Sequence, residues 1–168
     1  MWHKEKLHFC IEITQEIYSM IYSTMCYLID NDNVLMLLRN KKLNDINKNK
    51  WLGVGGKIYP NETPLECIKR EFKEETNLNL HDLEYVGKVS FDDNDYHETI
   101  YLYRAYSYDG EIMESNEGEL HFVPINKVLE LELWEGDKYF LEYVFNNSEF
   151  DEITLSYNDG KLKKIKIV

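Results

Sequence analysis

The segment from Gly55 to Leu78, GGKIYPNETPLECIKREFKEETNL, fixes the beginning, the end and the faces of one helix. Thr63 supplies an N-cap, Pro64 suits the first helical position, and Glu66 stands three residues on to complete a capping box. At the far end Asn77 is the best non-glycine residue for a left-handed C-cap. Just upstream, Gly53, Gly55 and Gly56 permit a tight loop whose backbone can approach a ligand or metal closely.

Projection at about 100° per residue from Arg70 separates three arcs. Leu65, Ile68 and Phe72 form an apolar stripe, while Glu66, Lys69 and Lys73 form a solvated face opposite it. Glu71, Glu74 and Glu75 share a third arc beside the stripe, with no Lys or Arg on it. Like charges one turn apart repel, so something must offset them. A hard divalent cation, which prefers carboxylate oxygens, is the simplest candidate. Arg70 sits between the solvated and acidic arcs and reaches Glu74 at i+4, which suits it to orient carboxylates.

Gly56, five residues, Glu62, seven residues, then Arg70-Glu71-Phe72-Lys73-Glu74-Glu75, one residue, Asn77 and Leu78 resemble the Nudix box, G-x5-E-x7-R-E-U-x-E-E-x-G-U. Every charged position is matched. Asn77 replaces the box glycine, and Asn61 stands where many members carry glycine; asparagine tolerates the left-handed backbone that both positions need. Outside the box, residues 36–57 and 133–145 are most similar to the MutT-like 8-oxo-dGTP diphosphatases.

Composition fits one enzyme-sized domain. A net charge of −12 argues against nonspecific binding to a nucleic acid duplex or an anionic membrane. No apolar run reaches membrane-spanning length. Glu12 and Glu16 interrupt what would be a signal-peptide core, and Cys10, Cys26 and Cys67 lack paired spacing, so a reduced, cytoplasmic protein is expected. A polyphosphate approaching such a surface needs metal ions and local cations. Arg39, Lys41, Lys42, Lys48 and Lys50, just before the glycine loop, are the candidate cations, the alternative being a solvated lysine loop.

Residues 1–19 carry a weak helical pattern and are expected to form an extension outside a domain spanning 20–168. Strands are expected at 21–29, 34–39, 51–58, 82–91, 97–106, 120–123, 153–157 and 162–168, and helices at 126–133 and 137–145 besides the box helix. This order implies an α/β fold with a mixed sheet flanked by helices; the resemblance implies the Nudix α/β/α sandwich.

The resemblance further implies Glu71, Glu74 and Glu75 as ligands of Mg²⁺, with Mn²⁺ the alternative, the Gly56 carbonyl as a further oxygen, and a downstream loop carboxylate. Glu117 in ESNEGEL is the best positional match, and Glu119 is its near competitor. The implied catalytic set is Arg70, Glu71, Glu74, Glu75 and Glu117, with Arg39 and Lys57 on the phosphates. Trp134 and Asp137 are the candidates for stacking on a purine and reading its edge, the alternative being Trp134 as core filler. Gly136 and Leu52 occupy positions that in some oxidised-purine hydrolases carry aspartate and asparagine. The expected reaction is hydrolysis of a small-molecule nucleotide, (d)NTP to (d)NMP and pyrophosphate, with 8-oxo-dGTP the leading substrate. A nucleotide-sugar or dinucleotide diphosphatase, or a noncatalytic nucleotide sensor, are the competing readings.

Overall fold

A computed structural model describes residues 20–168; the proposed extension at 1–19, with Cys10, lies outside the described residues. Strand β1 (Ile21–Asp30) turns through Asn31, whose backbone is left-handed, into β2 (Asn33–Arg39). The two strands pair at Ile29–Val34 and Asp30–Asn33 and then part. Into the opening come β3 (Trp51–Leu52), paired with β2, and β4 (Val54–Lys57), paired with β1. This insertion seats the glycine segment against Thr24 and Met25.

On its other edge β1 runs parallel to β6 (Tyr96–Asp109), which pairs antiparallel with β5 (Asn79–Asp93). β5 then runs parallel to β8 (Glu152–Asn158), and the antiparallel β9 (Lys161–Ile167) closes that side. β7 (Gly118–Pro124) lies along the remaining edge of β2. The sheet is therefore mixed, as expected.

Alternation along β1 and β2 builds a core on each face of the sheet. Cys26, Leu28, Leu35 and Leu37 face helix α1 (Pro64–Thr76), where Ile68 and Phe72 meet them. Tyr27, Ile29, Val34 and Met36 face helix α2 (Asp137–Phe145), where Phe140, Leu141 and Val144 meet them. Both layers of the expected sandwich are present. Full burial of a side chain such as Phe72 contributes about 1.5–3 kcal/mol.

Helix α1 has the predicted ends. Glu66 N–H donates to Thr63 Oγ1 (3.2 Å) and Thr63 N–H donates to the Glu66 carboxylate (2.8 Å). Asn77 is left-handed, and its N–H reaches the Lys73 carbonyl at 2.9 Å. The buried stripe differs from expectation: Leu65 is 44% exposed, whereas Cys67 and Thr76 are buried with Ile68 and Phe72. The helix leans on β4, and that rotation carries Cys67 inward, its Sγ 3.2 Å from Thr24 Oγ1.

The helix expected at 126–133 is instead a short 3-10 turn, Ile125–Glu130, with Val128 its buried residue. One apolar anchor is too little to hold an amphipathic α-helix on the sheet. Arg104 of β6 is buried at 2% exposure. Its guanidinium donates to Glu84 (2.8 Å) and to the carbonyls of Ser148 (2.7 Å) and Tyr143 (3.3 Å), pinning the C-terminal end of α2.

Candidate active site

The acidic arc of α1 faces β4 so closely that a Cβ at Gly56 would lie 2.3 Å from the Glu71 carboxyl carbon. Only glycine lets the loop backbone and that carboxylate share the space. Arg70 organises the other side. Its Nε and Nη2 bind both oxygens of Glu62 (2.6 and 2.9 Å), and Nη1 donates to Glu71 (2.6 Å) and Glu74 (3.2 Å). Nη2 also donates to the Lys57 carbonyl at 3.1 Å. The hydrogen bonds from Arg70, helped by the Tyr59 N–H, push the Glu62 carboxyl down to about 2. Glu62 is thus the anchor of Arg70.

Two of the three arc carboxylates are offset by Arg70 itself, a partner the projection placed between arcs. Glu74 is the outermost, about half exposed, while Glu75 turns inward to accept from the Ser115 hydroxyl at 2.5 Å. Burial raises the Glu75 carboxyl; the charges of Glu117 and Glu71 raise it further against the lowering effect of Ser115 and Arg39. Glu75 therefore lies within reach of the charges of both Glu71, on α1, and Glu117, just before β7.

Between the Glu117 and Glu119 alternatives the geometry separates clearly. Glu117 is turned inward onto Arg39 (2.8 Å) and Lys42, and its N–H is fixed by Ser115 Oγ at 3.0 Å. Glu119 lies on the exposed side with Asn40 and His121. Among the described residues no three His, Cys, Asp or Glu side chains already converge as a ligand shell. Each carboxylate is held by a protein cation or hydroxyl instead. The available donors (the Gly56 carbonyl, Glu71, Glu74, Glu75 and Glu117) are all oxygen, which suits a hard divalent ion exchanging with those internal partners.

The basic cluster is divided. Arg39 binds Asp45 (2.7 Å) and Glu117, Lys41 binds Glu114 (2.6 Å), and Lys50 approaches Glu132 (3.8 Å) with its Nζ 5.4 Å from the Trp134 ring centre. Arg39, Lys42 and Lys57 line a cleft of about 430 Å³ with Gly55 and Gly56. Lys41, Lys48 and Lys50 are not on its wall.

The cleft shares wall residues with a second, much smaller chamber of about 50 Å³, lined by Trp134, Asp137, Phe91 and Leu155. Trp134 packs edge-on against Phe91 (5.1 Å) and Tyr157 (5.3 Å), and its indole N–H donates to Asn47 Oδ1 at 2.9 Å. It is packed on one side, as a core residue is, and lines the chamber on the other. Asp137 is buried, and its Oδ2 has no hydrogen-bond partner. Burial pushes its carboxyl up to about 8, with the Trp134 backbone N–H and Lys50 opposing. A Cβ at Gly136 would lie 2.8 Å from both Leu155 Cδ1 and the Tyr157 hydroxyl, so a second aspartate has no room there. Leu52 lines the wall between cleft and chamber.

Five participants were not singled out from sequence: Asn47, Tyr96, Glu98, Ser115 and Tyr157. Ser115 had a local signal, since a serine two residues before Glu117 can fix its backbone N–H. Tyr96, Glu98 and Tyr157 are brought in by strand pairing across long separations, and Asn47 by the loop between β2 and β3, with no motif to mark them.

A mixed sheet between two helices, with a carboxylate-bearing helix set against a glycine strand, defines a phosphoanhydride hydrolase fold, and residues 21–144 match the NUDIX domain model. The chain belongs to the NUDIX family and is a hydrolase acting on phosphorus-containing anhydrides. It is 29% identical over 103 residues to the oxidized purine nucleoside triphosphate hydrolase of Danio rerio, covering 60% of this chain and 66% of that protein. It is 26% identical to the uncharacterized Nudix hydrolase YvcI of Bacillus subtilis, over 80% and 85% of the two chains. Among solved structures, the MutT protein from Bacillus halodurans superposes with a TM-score of 0.78 at 28% identity, over 88% and 97% of the two chains. Among the described residues no helix is long and apolar enough to cross a membrane.

Proposed function

We propose that this protein is a Mg²⁺-dependent nucleoside triphosphate pyrophosphohydrolase acting on oxidised purine nucleotides such as 8-oxo-dGTP. The observation that carries the reading is the pairing of Trp134 with the buried Asp137, whose Oδ2 has no partner, in a chamber that shares wall residues with the Arg39–Lys57 cleft. Similarity to the oxidized purine nucleoside triphosphate hydrolase of Danio rerio supports it.

The polyphosphate lies in the outer cleft, where Arg39, Lys42 and Lys57 meet its oxygens. Gly56, Glu71, Glu74, Glu75 and Glu117 would hold a divalent cation, which when bound neutralises phosphate charge and acidifies water. Arg70 orients Glu71 and Glu74. Glu75 is our assignment for the general base, because its partner is the neutral Ser115 hydroxyl, whereas Glu117 already faces two cations and Glu74 faces solvent and Arg70. A water oxygen forms a bond to phosphorus and gives its proton to that carboxylate. The bond to the bridging oxygen breaks, and pyrophosphate departs with the electron pair.

At the inner end a carboxyl raised to about 8 stays protonated at neutral pH. It therefore offers a donor on one oxygen and an acceptor on the other to a purine edge. Assay of pyrophosphate and phosphate release, with and without Mg²⁺, across a panel of oxidised nucleotides, ordinary nucleotides, nucleotide sugars and dinucleotides tests the proposal. The expected result is metal-dependent pyrophosphate release, most efficient on the oxidised purines. A preference for sugars or dinucleotides would leave the family membership and remove this substrate.

A further inference from the structure

The outer cleft and inner chamber share six wall residues: Met25, Ile46, Asn47, Leu52, Tyr96 and Glu98. A nucleotide with its phosphates outside and its base inside has its sugar at this junction. Glu98 is the one ionisable carboxylate among the six, and the proposed reaction leaves it without a task. Its carboxylate is fixed from two sides. Ser23 Oγ donates to Oε1 at 2.5 Å, and Tyr96 OH donates to Oε2 at 2.7 Å.

Each donor comes from a different strand position. β1 and β6 run parallel here with Ser23 beside Ile100, so the carboxylate spans from one strand to the other. Each Oε takes one internal hydrogen bond and keeps acceptor capacity for another. The result is a rigid pair of anionic acceptors at the sugar position. An acidic wall repels phosphates, so this group has no use for the charged end of the substrate. It suits a neutral ligand part that carries hydroxyl donors, and a vicinal cis-diol presents two to a carboxylate at once.

We infer that Glu98 is a specificity-determining residue that accepts hydrogen bonds from the sugar hydroxyls, and that the enzyme prefers ribonucleoside over 2′-deoxyribonucleoside triphosphates. This rests on the nucleotide reading above and refines its substrate class toward 8-oxo-GTP. A deoxy sugar leaves one charged acceptor in the narrow junction without its donor, and sites built to bind a hydroxyl reject analogues that lack it.

The test is kcat/KM for matched pairs, GTP with dGTP and 8-oxo-GTP with 8-oxo-dGTP, on wild type, Glu98→Gln and Tyr96→Phe. Wild type is expected to favour the ribo member by about tenfold or more, the scale for losing a hydrogen bond to a charged group. Glu98→Gln replaces one acceptor with a donor and should bring the ratio close to one. Tyr96→Phe removes one of the two groups fixing the carboxylate and should lower the ratio by a smaller factor. A ratio of two substrates on one preparation does not depend on how much of a variant is folded. A wild-type ratio near one, or an unchanged ratio in Glu98→Gln, overturns the sugar assignment and leaves the hydrolase reading intact. Absence of turnover on every nucleoside triphosphate overturns both.

Discussion

At the outer end of the cleft, carboxylates and cations are held by one another: Arg70 joins Glu62, Glu71 and Glu74, and Arg39 joins Asp45 and Glu117. At the inner end one carboxyl, Asp137, is held by burial among Phe91, Trp134 and Phe140 with an oxygen left unpaired. The outer arrangement can exchange an internal partner for a ligand with little change in the number of ion pairs. The inner one cannot, because the buried, largely apolar surroundings penalise a charge and leave the free oxygen to a polar ligand group. Chemistry that must handle many charges is built from exchangeable pairs. Selection of one base is built from a single unmet need.

The largest effect expected from breaking the outer end is on turnover. Glu75→Gln should reduce pyrophosphate release by at least about two orders of magnitude, the usual scale for a general base. Its melting temperature should hold, since the substitution removes a half-buried repelling charge. Glu66→Gln, on the solvated face and still able to complete the capping box, should turn over like wild type. Comparable losses in both variants would show that the acidic arc has been misread.

Gly56→Ala sharpens the same end. The new methyl meets the flexible end of Glu71 at 2.3 Å, so the chain should fold with the carboxylate displaced. A misplacement near 1 Å can cost about 100-fold, and we expect a loss of roughly 10- to 100-fold with a nearly unchanged melting temperature. A normal rate would mean that Glu71 need not sit against the loop.

The inner end is tested through Asp137→Asn, in two ways. Preference for 8-oxo-dGTP over dGTP should fall, by about tenfold if one hydrogen bond to a charged or proton-sharing group is lost. Stability should also lose a pH dependence. The folded value of about 8 lies above the ordinary 3.8, so between these limits the folded state holds the proton more tightly. Wild-type stability must then fall as pH rises from about 4 to about 8. Thermal melts at pH 5.5 and 8 should show this slope in wild type and a flatter one in the variant. Equal slopes would place the titration elsewhere.

The smallest change is Tyr157→Phe, which keeps the ring packing of Phe91 and Trp134 but removes the hydroxyl that accepts from Gly136 N–H at 2.7 Å. We expect KM for oxidised purines to rise a few-fold with kcat nearly constant, in line with a net hydrogen-bond contribution of about 1 kcal/mol. A fall confined to kcat would contradict a role at the base end.

These two ends were unequally legible in the sequence. The box helix could be read to its caps, because Thr63, Glu66 and Asn77 act within a few residues of where they stand. Its buried side could not, since the lean of α1 onto β4 is tertiary and moved Leu65 out and Cys67 in. Trp134 and Asp137 were nominated by a resemblance, and both line the inner chamber. Glu98 and Tyr157 were not, because β6 and β8 are brought to the cleft by parallel pairings that no local pattern records. The 3-10 turn at 125–130 failed for a related reason: its helical spacing was real, but the sheet offered it only one socket, at Val128.

Arg104 has a consequence that reaches beyond packing. Its guanidinium fastens the last turn of α2, while Tyr157 fastens the residue before its first. A helix tethered at both ends meets its ordering cost during folding, so an incoming purine does not have to supply it. Association should then be governed by diffusion and by the charged mouth of the cleft, with salt acting on the on-rate. Residence time belongs to the depth at which this clamp holds Asp137. On the proposed nucleotide reading, loosening this distant buried arginine should shorten the time a substrate stays bound.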